Sequence, residues 1–115
     1  MYKTAYAQEA DSSPGLQRDR EYQVFQQSID LLEQAASDDA AKMAKTEAIV
    51  FTRRLWTILL EDLSRAENSL PPETRANFIS IGLWVLRECE DISLGKSNNF
   101  KGLIDVSRSI QDGLK

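Results

Sequence analysis

Histidine is absent from these 115 residues. That removes the commonest general base and the commonest zinc ligand together. Cysteine occurs once, at Cys89, so no internal disulfide can form, which fits a reducing compartment. No apolar run approaches the roughly 18 residues needed to span a bilayer, and the opening MYKTAYAQEADSSPG lacks the apolar core of a secretory signal. There is no glycine-rich phosphate loop, no nucleophile elbow, no internal repeat and no low-complexity tract. The chain has more acid than base, 14 Lys and Arg against 18 Asp and Glu, for a net charge of −4. That balance disfavours a broad nucleic-acid surface, which needs clustered cations. A soluble cytoplasmic protein that is not an enzyme is the expectation.

What is present is helical periodicity. Charged residues make up 28%, an ordinary value for a globular domain, and the length suits one domain. The first dozen residues are polar and aperiodic, with Tyr2 and Tyr6 the only large apolar groups, and read as a flexible N-terminal arm. Ser13-Pro14 reads as a helix start, since serine caps orphan amides and proline loses nothing at the first helical position. Spacing at about 100° per residue then predicts helices at about 14–36, 40–65, 72–94 and 98–113. Ser37 to Asp39 would cap the second, Pro71-Pro72 would open the third, Gly95 would close it, and Ser97, Asn98 or Asn99 would cap the fourth. The fold class is all-α, a small bundle of about four amphipathic helices.

Two helices carry the informative anomalies. In FTRRLWTILLEDL, Phe51 to Leu63, the apolar residues sweep about 200°, enough to meet more than one neighbour. Trp56 lies inside that stripe as core, whereas Arg54 falls on the remaining arc and Arg53 at its edge, so the pair reads as the solvated border of an apolar seam. Asp62 falls inside the apolar arc, where it must either sit in a frayed turn or pair with a base such as Arg75 or Arg87. In the third helix the arc takes in Phe78, Ile79, Ile81, Leu83, Val85, Leu86, Cys89 and Ile92, with Gly82 at its middle. Glycine costs about 1 kcal/mol in mid-helix, so a close neighbouring helix is the expected compensation. Cys89 on that arc reads as a small buried hydrophobe. Trp84 projects instead among Asn77, Ser80, Glu88 and Asp91. Either the arm or the first helix covers it, or it anchors a partner. The residues nominated for partner contact are Trp84, Arg53, Arg54, Arg87, Tyr2 and Tyr6, with no catalytic, cofactor or metal residues.

FTRRLWTILLEDL, ENSLPPETRANFISIGLWVLRE and NFKGLIDVSRSIQDGLK, with the MYKTAYAQ opening, closely resemble the bacterial flagellar biosynthesis protein FlaF family over nearly the whole chain. Pro71-Pro72 departs from the single proline of that family and bears only on where the third helix starts. The resemblance implies a cytoplasmic helical protein required for flagellin synthesis and export. It implies a flagellin-specific secretion chaperone working beside the translational regulator FlbT, with no catalytic or metal residues to carry over. An alternative role is post-transcriptional control of flagellin, with FlbT or on flagellin message. The expected partner is flagellin, with FlbT a second candidate, direct nucleic-acid binding disfavoured and no membrane insertion. An uncovered Trp84 would equally serve a second copy of the chain. The arm carrying Tyr2 and Tyr6 would then lie over the cargo surface near Trp84.

Overall fold

The structure, a computed structural model, describes residues 14–37 and 39–113, with side chains from Asp19 onward. Among the described residues it contains four helices and no strand: α1 Pro14–Ala35, α2 Lys42–Leu63, α3 Pro72–Ser93 and α4 Phe100–Asp112. The main helix–helix contacts join α4 to α1, α1 to α2, and α2 to α3. The helices thus form a series in which α1 and α2 are inner members and α3 and α4 outer ones. Neighbours run antiparallel. Arg108 reaches Glu33 at 2.8 Å while Gln111, one turn on, reaches back to Gln26.

Local chemistry fixes the ends of these rods. Pro71 stands at the N-cap of α3 with ψ 144° and Pro72 follows at the first position. A residue before proline is pushed toward such extended values, so the doubled proline is compatible with the helix start. Gly95, with φ 76°, ends α3. Its amide donates to the Ile92 carbonyl at 3.1 Å and that of Lys96 to the Asp91 carbonyl at 2.8 Å, the paired bonds of a Schellman stop. Asn99 caps α4, accepting from the Gly102 amide at 3.0 Å. Ser13, the expected cap of α1, lies outside the described residues.

Two expectations are corrected. The Ser37 to Asp39 stretch does not cap α2, which starts at Lys42 behind Ala41 with no side-chain cap. Ser37 is engaged in its own turn, accepting from the Asp39 amide on its hydroxyl and from the Ala40 amide on its carbonyl. Asp62 makes no ion pair with Arg75 or Arg87. Its carboxylate accepts from Asn68 Nδ2 at 3.1 Å, and the same nitrogen reaches the Asp62 carbonyl at 3.2 Å. Arg75 donates instead to the Arg65 carbonyl, so this polar network ties down the α2–α3 connection.

The core gathers Phe25, Ile29 and Leu32 of α1, Ile49, Leu55 and Trp56 of α2, Val85 and Cys89 of α3, and Phe100, Leu103 and Ile104 of α4. Phe25 meets Trp56 edge to face with centroids 6.1 Å apart. Gly82 is buried against the same tryptophan, and a Cβ there would stand 2.7 Å from Leu60 Cδ2 and 3.0 Å from Trp56 Cε3. The close approach anticipated from the sequence is present. Between α1 and α2 the buried hydroxyls of Ser28 and Thr52 share a hydrogen bond of 3.1 Å.

Two stability predictions follow from these contacts. Gly82→Val drives methyls into Trp56 and Leu60, and denaturant unfolding should report a loss of about 2 kcal/mol. Ser28→Ala should cost about 1 kcal/mol by stranding the Thr52 hydroxyl, whereas Ser28→Ala with Thr52→Val should recover most of that loss.

Candidate functional site

The antiparallel packing of α2 and α3 sets the neighbourhood of the nominated residues. Residues 56 and 60 of α2 lie against Gly82, and Arg53, a turn earlier, lies close enough to Cys89 to act on it electrostatically. Arg53 therefore borders the α2–α3 seam, while Arg54, the next residue, turns about 100° away from it; both are exposed. Arg87, on α3, is exposed as well. Neither Arg53, Arg54 nor Arg87 takes part in an ion pair among the described residues. Tyr2 and Tyr6 lie outside the described residues.

Trp84 is 37% exposed, on the side of α3 turned from α2. It is not alone there. Leu83 is 56% exposed, against the expectation that placed it on the buried arc. Leu83 stands at the last edge of that arc, about 160° around the helix from the buried Val85, beyond what one packed neighbour covers. Leu94, just past the helix, is 61% exposed. Sequence reasoning missed Leu83 because the arc was counted as a whole. Its terminal position on the wheel was the available signal.

Cys89 is fully buried, and burial pushes its thiol from 9.0 up to about 11, with Arg53 pulling it down in part and Glu88 adding to the rise. A thiol so placed is a poor nucleophile at neutral pH. Glu88 accepts from the Ser97 hydroxyl. Among the described residues no group of three or more His, Cys, Asp or Glu side chains could hold a metal ion. No described helix is long and apolar enough to cross a membrane.

The family model for flagellar protein FlaF matches residues 2–114. The chain belongs to the FlaF family. No curated protein and no solved structure gives a match. FlaF membership makes this a flagellar protein, and the sequence motifs around Trp56 and Trp84 fall within the matched span.

Burial of Cys89 carries a pH consequence. The folded thiol holds its proton above the unfolded value, so its contribution to stability is complete below pH 9 and is lost as pH rises toward about 11. Unfolding midpoints measured across pH 8–11 should fall for the wild type. Part of that fall should be missing in Cys89→Val.

Proposed function

We propose that this protein is a cytoplasmic flagellin-binding chaperone that regulates flagellin synthesis and export during flagellum assembly. The observation that carries the reading is Trp84, 37% exposed, beside the more exposed Leu83 on an outer helix of a FlaF-family chain. Contiguous exposed apolar groups mark interaction surfaces, and tryptophan is enriched among the residues that dominate binding energy. Flagellin's terminal segments form helices with apolar stripes that pack in the filament and invite premature assembly in the monomer. An amphipathic client helix laid on α3 would hide its stripe against Trp84 and Leu83, as in helix-in-groove recognition. Arg87 on α3, with Arg53 and Arg54 on α2, supplies a polar border that aligns an acidic client without carrying most of the affinity. No catalytic step belongs to this reading.

The exposed Arg53, Arg54 and Arg87 also leave room for action on flagellin translation, with FlbT or on the message itself. The two are separable by salt. Binding to RNA falls steeply with ionic strength, whereas an apolar helix contact persists.

The deciding measurement is titration of monomeric flagellin with wild type and Trp84→Ala. The variant should bind at least about tenfold more weakly, with its helical circular dichroism unchanged because the side chain is already part-exposed. Equal affinities would refute the assignment of Trp84 as anchor.

A further inference from the structure

One face of α3 is complementary to itself. Leu83 and Leu94 are exposed, and between them stand Arg87 and Glu90, exposed too. At about 100° per residue all four lie within about 60° of one another, on the side opposite Val85 and Cys89. Neither Arg87 nor Glu90 makes an ion pair among the described residues. The order along the face is apolar, basic, acidic, apolar, at spacings of four, three and four.

Reversed, that order is the same with the charges exchanged. A second copy rotated by 180° about an axis level with the midpoint of Arg87 and Glu90 sets Leu83 against the partner's Leu94 and Arg87 against the partner's Glu90. Symmetry repeats both contacts. A parallel pairing would set like charges opposite each other, so the pattern also selects the orientation. Gly82, Val85 and Cys89 remain turned toward α2, and the core is undisturbed.

We propose that this protein self-associates through α3, antiparallel, with Leu83–Leu94 and Arg87–Glu90 as the reciprocal contacts. The occupant of the face is a second copy because the charge order that complements it is its own. One helix pair falls below the roughly 1,200 Å² of a stable interface, so the dimer is weak and concentration-dependent, with a dissociation constant on the order of tens of micromolar.

Sedimentation equilibrium of the full chain alone, over concentrations bracketing that value, tests this without flagellin. Its outcome is therefore independent of the chaperone reading. A monomer–dimer equilibrium is expected. Arg87→Glu alone and Glu90→Arg alone should each weaken it about tenfold or more, because two like-charge contacts replace two ion pairs. Arg87→Glu combined with Glu90→Arg should restore it. Both substituted side chains are exposed, so helical content serves as the folding control. A chain monomeric throughout, or a double variant that fails to recover, overturns the proposal. A monomer whose Leu83→Asp variant instead loses hold of a flagellin terminal helix also overturns it and gives the face to a client.

Discussion

Trp56 is where three helices meet, and the packing of the bundle follows from fitting that one indole. Phe25 of α1 meets the ring edge to face, α2 supplies the ring, and α3 comes close enough only because residue 82 has no side chain. The indole is 2% exposed and its Nε1 has no hydrogen-bond partner among the described residues. Leaving a buried donor unmet costs about 1–3 kcal/mol. The arrangement persists because ring burial and close helix approach outweigh that cost. Apolar fit, rather than a polar network, sets the α2–α3 distance.

Polar groups do a different task on the other side of the core. Ser28 and Thr52 join α1 to α2, and Gln111 of α4 donates to Gln26 Oε1 at 2.8 Å and to the Tyr22 carbonyl at 3.3 Å. A hydrocarbon seam tolerates a slide of one helical turn better than a seam holding directional bonds, since each displaced donor would be left buried and unmet. The α1–α2 and α1–α4 contacts therefore fix register. The exposed Arg108–Glu33 pair adds little, because solvent screens it.

Much of this was legible in the sequence because it is local. The helix stops and starts at Gly95, Asn99 and Pro71-Pro72, the buried stripe around Trp56, and the need for a neighbour at Gly82 all follow from propensity and a 3.6-residue period. What the period cannot register is a polar residue whose partner is distant in sequence. Thr52 and Ser28, 24 positions apart, both fall inside the apolar arcs of their helices, so the period marks them as buried but cannot show that each is the other's hydrogen-bond partner. Asp62 looked like half of an ion pair because its Asn68 partner comes from a loop. Ala41 displaced the expected caps because the Ser37 hydroxyl closes a turn instead. Of the candidate site, Trp84 was legible from its polar surroundings, whereas Leu83 was marked only by its terminal position on the wheel, since its burial depends on how many helices flank α3.

That dependence explains why α3 keeps open apolar side chains and α4 does not, although both end the series. The apolar stripe of α3 spans about 200°, wider than one packed neighbour covers, so its edge stays open at Leu83. On α4 the buried positions include Ser107 and Gln111, both satisfied by hydrogen bonds, and none of its large apolar side chains is among the exposed ones. Equal placement in the series thus has unequal consequences, because α3 carries more hydrophobe than its single main neighbour can cover. Surface of that kind is stable in water only while small, or while something else shares it. The charges at Arg87 and Glu90 hold it soluble, and their order decides what can share it.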